Sequence, residues 1–335
     1  MSDKPKLGMY WGSGCGGCEI AVLNIQENIL VVDEVFDIAF FPCIADFKVK
    51  DVKGYPDGYI DLCLFNGAIR NSENEEMAQL LRQKSKVMVA FGSCAYEGCI
   101  PALSNLTSKE ATLNTVFLDN PTIDNPDRIL PQPFYDVPEG TLEIPVFYHT
   151  VKSLDQVVNV DYTIPGCPPE PHQIWTVLQA VVAALLEGAA LPPAGSIIGA
   201  GNVAVCQECN MKKDVKTIDR FYRPYDIIPD REVCLLEQGI MCMGPATRSG
   251  CGALCLNVGM GCRGCYGPLD GVEDQGAKML TAIASVLNVG KVGEDEAEIE
   301  RQLDTVMDTI VDPAGTFYRF SMSHSLLRRA KVNGN

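Results

Sequence analysis

Eight of the 64 residues from Val203 to Tyr266 are cysteine: Cys206, Cys209, Cys234, Cys242, Cys251, Cys255, Cys262 and Cys265. The stretch is rich in glycine and poor in strand-like runs, so it offers too little apolar material for an ordinary core. Something other than hydrophobic burial must hold it together. Two C-x-x-C pairs with four cysteines between them signal two tetrathiolate sites, and zinc and iron–sulfur clusters both accept four thiolates. Spacing alone leaves that choice open. Disulfides are a poor reading, because small secreted domains use them to replace a missing core, whereas 335 residues suffice for one large domain or two modest ones.

The first 190 residues read differently. Strand-like runs at Lys6–Trp11, Val35–Phe41, Ile60–Phe65, Val87–Phe91 and Val157–Ile164 alternate with helical patterns at Glu19–Val32 and Glu73–Lys84, as in an open parallel α/β sheet. Most of these runs are apolar on both faces, as buried parallel strands are. Six prolines between Asn120 and Pro145 predict an irregular surface loop there. A helix is expected from Pro171 to Gly188, and LPPAG at Leu191–Gly195 punctuates the chain as a domain boundary would. The expected division is therefore an α/β domain over 1–190 and a cysteine-rich domain over 196–335. The latter ends in helices over 272–310, with Leu280, Ile283 and Leu287 on one stripe and Ile299, Leu303, Met307 and Ile310 on another.

The sheet domain carries its own cysteines: Cys15-Gly-Gly-Cys18-Glu19, then Gly92-Ser93-Cys94-Ala95, then Pro165-Gly166-Cys167-Pro168-Pro169. Each motif follows a predicted strand. Strand ends of an open parallel sheet converge on one edge, whose crevice at the topological switch point is the usual ligand site, so Cys15, Cys18, Cys94 and Cys167 are expected to meet there. Of 15 cysteines, four and eight are thereby assigned, leaving Cys43, Cys63 and Cys99; Cys63, inside a strand-like run, reads as a buried small apolar side chain.

Charge excludes some partners. Net charge is −16, and nucleic acid and anionic lipid both need clustered Lys and Arg, so neither is expected. No apolar run approaches 18 residues, so no membrane span is expected. The start, MSDKPKLGMYWG, lacks a basic segment followed by an apolar run, which argues against export and for a cytoplasmic protein. In a reducing compartment an odd cysteine count points to metal sites, a redox site or buried thiols.

CGGCE, GSCA and PGCPP, in that order and at strand ends, resemble the proximal-cluster motifs of the small subunit of nickel–iron hydrogenases. C-x-x-C, CLLEQGIMCMGPATRSGCGALC and GCRGC are similar to the cytoplasmic group of that family, which includes the methyl-viologen-reducing (deazaflavin-non-reducing) type. The resemblance implies a flavodoxin-like domain holding a proximal 4Fe–4S cluster through Cys15, Cys18, Cys94 and Cys167, followed by an iron–sulfur domain with two more. Cys206, Cys209, Cys234 and Cys242 would hold the distal cluster, and Cys251, Cys255, Cys262 and Cys265 the medial one. The family's nickel–iron centre lies in a larger partner subunit. This chain would carry electrons between it and a further electron-accepting subunit, such as a heterodisulfide reductase, a flavoprotein or a ferredoxin. An acidic residue at the place of Glu19 is associated in the family with proton movement; the plainer reading is a carboxylate at a helix start.

The match has departures. Oxygen-tolerant relatives carry two extra cysteines around the proximal cluster; Cys99 stands at one of those places but Gly17 at the other, which implies a four-cysteine cubane with Cys99 a nearby spare thiol. Cys206 stands where many exported relatives use histidine, and His149, His172 and His324 read as loop or surface residues. Two alternatives are a quinone-reductase-type subunit, whose first motif has an adjacent cysteine pair, and a zinc-stabilised scaffold without redox function.

Overall fold

The computed structural model describes residues 4–214, 217–290, 293 and 295–327. Its strands are β1 (Lys6–Trp11), β2 (Asp37–Phe40), β3 (Ile60–Asn66), β4 (Ile69–Asn71), β5 (Ser85–Phe91), β6 (Phe134–Val137), β7 (Gly140–Glu143), β8 (Phe147–Lys152), β9 (Tyr162–Ile164) and β10 (Ser196–Ile197). Six of them form one sheet in the order β10-β9-β5-β3-β1-β2, parallel at every pairing. From β1 the chain goes first to β2 on one side and then to β3 on the other, so the switch point lies between β1 and β3.

Apolar residues on both faces of the strands account for the two layers around this sheet. On β3, Leu62 and Leu64 face a core shared with Val22, Ile174 and Val177, while Cys63 and Phe65 face a second with Met77, Leu81 and Leu154. Cys63 is fully buried there, as its place in the run implied. The helices have local causes. Asn71 caps Ser72–Lys84 by accepting from the Asn74 amide at 2.8 Å. Glu170 and Gln173 form a capping box at the start of Pro171–Glu187, and Gly188 ends that helix in the left-handed conformation.

Three expectations are revised. The helix expected over 19–32 is two helices, Gly17–Leu23 and Ile29–Val35, joined through Gln26, whose φ is 60°. The strand expected over 157–164 is only Tyr162–Ile164, because the amides of Val157 and Val158 fold back onto the Leu154 carbonyl. The proline-rich stretch contains the β6–β7 hairpin, since Pro133 and Pro138 leave a strand-length gap and Pro138-Glu139 makes its turn.

The chain forms two compact units, one of Met1–Gly199 with Met322–Asn335 and the other of Ala200–Ser321. Residues 322–327 thus belong with the first unit, where His324 Nε2 lies 2.8 Å from Ser153 Oγ and 3.1 Å from Asp155 Oδ1. The second unit has little regular structure before the helix Gln275–Ala284. Buried Leu235, Leu236, Ile240, Met243 and Tyr266 give it a small core, and two buried polar side chains stitch its loops. The Arg248 guanidinium donates to the carbonyls of Pro268 and Gly201 and to Asp270, and the Gln275 amide donates to the carbonyls of Ala246 and Gly264. Of the expected second stripe Ile310 is buried, whereas Leu303 and Met307 are exposed. Among the described residues, no helix is long and apolar enough to cross a membrane.

Candidate functional site

Three loops at the carboxyl edge of the sheet carry the first thiol set. After β1 the chain is held against β3: the Gly12 amide donates to Asn66 O at 2.7 Å and the Ser13 amide to Ala68 O at 2.9 Å. A Cβ on Gly67, whose φ is +91°, would strike the Gly12 backbone at 2.6 Å. Gly16, at φ 81°, then starts the helix Gly17–Leu23, placing Cys18 and Glu19 in its first turn. After β5, Gly92 donates to Ile164 O and Ser93 to Gly166 O, which ties the Cys94 loop to the Cys167 loop.

These ties bring the thiols together. Burial pushes the Cys18 thiol far up, and the charges of Cys94, Glu19, Cys167 and Cys15 push it further. Cys15 Sγ accepts from the Gly17 amide at 3.4 Å. Cys99, buried and at φ 48°, stands with its sulfur 3.8 Å from that of Cys167; its hydrogen bond lowers Cys167 to about 7 against the effect of burial. Cys43 is exposed.

Glu19 is buried. Its Oε1 accepts from the Asn66 side-chain amide, and its Oε2 has no hydrogen-bond partner among the described residues. Burial raises its pKa, while its own backbone amide and Asn66 oppose that. Asn66 was missed in the sequence, where it reads only as the polar end of a strand.

In the second unit Cys206, Cys209, Cys234 and Cys242 come together. Burial raises Cys206 to about 12, with Cys242, Cys234 and Cys209 adding to the rise and Lys213 opposing it. Burial also raises Cys242, which accepts from the Cys262 amide at 3.3 Å. Cys251 is raised by burial, with backbone amides of Ala253 and Leu254 opposing and Glu208 and Cys255 adding. Cys262 is raised by burial and by Cys242, with Cys265 a smaller contributor. Cys206 thus has Cys242, Cys234 and Cys209 as charge neighbours, Cys251 has Cys255, and Cys262 has both Cys242 and Cys265. Of the histidines, His149 and His172 are exposed and His324 is engaged with Ser153 and Asp155.

A bulky inorganic group fits this setting in one testable respect. Glycine stands where any side chain would enter the sulfur-lined space: a Cβ on Gly92 would lie 2.5 Å from Cys18 Sγ, and one on Gly244 would lie 2.9 Å from Cys206 Sγ. A single tetrahedral ion needs all its sulfurs about 2.3 Å from one point; among the described residues no three His, Cys, Asp or Glu side chains are grouped to hold one ion.

Comparison with known proteins adds the following. The sequence profile of the family described as NADH ubiquinone oxidoreductase, 20 Kd subunit, matches residues 15–181. The iron–sulfur subunit of the F420-non-reducing hydrogenase of Archaeoglobus profundus is 40% identical over 84% of this chain and 88% of its own. A subunit of the F420-non-reducing hydrogenase of Methanothermobacter marburgensis is 36% identical over 98% of this chain and 97% of its own. Among solved structures, a chain of the recombinant [NiFeSe] hydrogenase from Desulfovibrio vulgaris Hildenborough superposes with a TM-score of 0.50 at 15% identity, covering 80% of this chain and 94% of that one. That likeness speaks to the fold.

Proposed function

The chain belongs to the family of small, iron–sulfur subunits of F420-non-reducing hydrogenases, and from that premise we propose that it is the electron-transfer small subunit of a nickel–iron hydrogenase. It works between a nickel–iron centre in a partner large subunit and an external acceptor, by way of three 4Fe–4S clusters. The observation that carries this reading is the proximity of Cys18 to Cys15, Cys94 and Cys167, drawn from three segments spread over more than 150 residues of chain, at the sheet edge where such folds hold their ligands. Clusters bound by these thiolates supply one-electron storage and transfer.

The residues of the chain do the rest. Cys15, Cys18, Cys94 and Cys167 hold the proximal cluster; Cys206, Cys209, Cys234 and Cys242 the distal one; the pairs Cys251/Cys255 and Cys262/Cys265 join to hold the medial one. Backbone amides of Gly17 and Cys262 donate to ligand sulfurs and so favour the reduced, more negative state. All-thiolate ligation, with Cys206 where a histidine would be neutral, works the other way. Cys209 lines an open cavity of about 380 Å³ with Lys212, Arg231 and Glu232, which suits an exit toward the acceptor. Glu19, buried with one oxygen held by Asn66, is the proton-relay residue of this reading.

The test is anaerobic purification of the protein with whatever co-purifies, followed by iron, sulfide and nickel assays and a visible spectrum. About twelve irons per chain and a nickel-bearing partner are expected. A colourless protein retaining zinc and no iron would end the redox account.

A further inference from the structure

The second unit contains a cavity of about 600 Å³ whose wall includes three arginines, Arg223, Arg263 and Arg319. A chain with net charge −16 has carboxylates to spare, and one of them, Asp312, stands in the same wall; the arginine ion pairs among the described residues are those of Arg82, Arg248 and Arg301. Two other side chains of the wall are engaged within the fold. Asp312 Oδ1 accepts from the Gly315 amide at 2.9 Å. Thr309 Oγ1 accepts from the Phe221 amide at 2.9 Å and donates to the Val306 carbonyl at 2.6 Å. What the cavity offers a ligand is therefore three guanidinium groups against one carboxylate, with apolar surface beside them.

The apolar surface is largely aromatic. Phe221, Tyr222 and Tyr225 line the same space, and the Arg220 guanidinium lies 4.9 Å from the centre of the Tyr222 ring, holding its orientation. A guanidinium presents a planar fork of donors matched to the oxygens of a phosphate or carboxylate, and several converging forks select multiple negative charge. Aromatic walls beside them select a planar ring. A volume of this size lies within the range of small-molecule sites.

We infer that this cavity is a binding site for a nucleotide-class ligand, its phosphates on Arg223, Arg263 and Arg319 and its ring against the tyrosines. Arg263 belongs to the loop between Cys262 and Cys265, so occupancy of the cavity bears directly on the backbone that carries those two thiols. The ligand needs no chemistry of its own to act there: an anion fixed on Arg263 neutralises a positive charge next to them.

The assay is calorimetric titration of the intact hydrogenase complex, under anaerobic conditions, with ADP, flavin mononucleotide and inorganic pyrophosphate. ADP or flavin mononucleotide should bind saturably, tighter than pyrophosphate and more weakly as salt rises. Arg319→Gln and Arg223→Gln should each weaken binding by about tenfold or more, from the loss of charge-assisted hydrogen bonds. Tyr225→Ala, at an exposed position that can be changed without disturbing the fold, should narrow the preference for ADP over pyrophosphate. Absence of saturable binding to the complex, or binding unchanged in the two arginine variants at full iron content, overturns the site. Pyrophosphate binding as tightly as ADP overturns the nucleotide assignment.

Discussion

Gly92→Ala is the most direct perturbation of the proximal thiols that leaves every ligand in place. Gly92 adopts φ 82° and ψ 162°, a region open almost only to glycine, and holding an L-residue there costs about 1–3 kcal/mol. The added methyl group would sit 2.5 Å from Cys18 Sγ and 3.4 Å from the Gly166 carbonyl oxygen. It can be accommodated only by rotating the thiol away or shifting the loop, and such overpacking costs about another 1–3 kcal/mol. The expected loss is together about 2–6 kcal/mol, concentrated where Cys18 must point. Gly188→Ala is the matched control: its φ is +72° and nothing lies within 4 Å of the new Cβ, so it bears conformational strain alone, about 1–2 kcal/mol. Apparent unfolding temperature and iron content of the purified complex are measured for both. Gly92→Ala should fall further in temperature and lose about four irons per chain, while Gly188→Ala keeps them all. Equal temperature shifts with full iron in both variants would refute the claim that this glycine makes room for a cluster at Cys18.

Three further outcomes are expected. Burial alone would lower the His324 pKa, but the hydrogen bond and charge of Asp155, with Glu97 adding, hold it above 6.5. Burial would raise Asp155, and His324 and Ser153 outweigh it and keep it below 3.8. The histidine's contribution is thus complete below pH 6.5 and lost as pH rises through its raised value; the carboxylate's is complete above pH 3.8 and lost as pH falls through its lowered value. Denaturant midpoints should therefore drop as pH rises past the histidine's raised value, and Asp155→Asn should remove that drop. Arg248→Met leaves the half-buried carbonyl of Pro268 without its donor and removes a longer hydrogen bond to the exposed Gly201; a loss of about 1–3 kcal/mol is expected in urea unfolding, with little from Asp270, whose side chain is 63% exposed. Glu19→Gln should lower hydrogen turnover while iron content and cluster potentials stay unchanged, and undiminished turnover would remove Glu19 from the proton path.

What could be read from the chain alone was whatever depends on neighbours in sequence. Lys6–Trp11 is the first strand to the residue, and Pro171–Glu187 is a helix, because runs of apolar residues and capping residues act over a few positions. The candidacy of the cysteines as metal ligands was equally legible, since C-x-x-C spacing and motif order are linear properties. Contacts between distant segments were not so accessible. That Asn66 holds Glu19, that Gly92 stands against Cys18 and that Cys99 lies 3.8 Å from Cys167 depend on how three loops meet at one sheet edge. The return of His324 to Asp155 spans 169 residues, and no local pattern announces it. The same holds for Arg248, which looks in sequence like any charged residue between glycines yet is buried and bonded to loops on either side. Composition and spacing set twelve of the 15 cysteines apart as candidate thiolate ligands. Which thiols lie near one another, and which arginines line one cavity, was decided only by the tertiary structure, because direction and distance between remote residues exist only once the backbone has closed on itself.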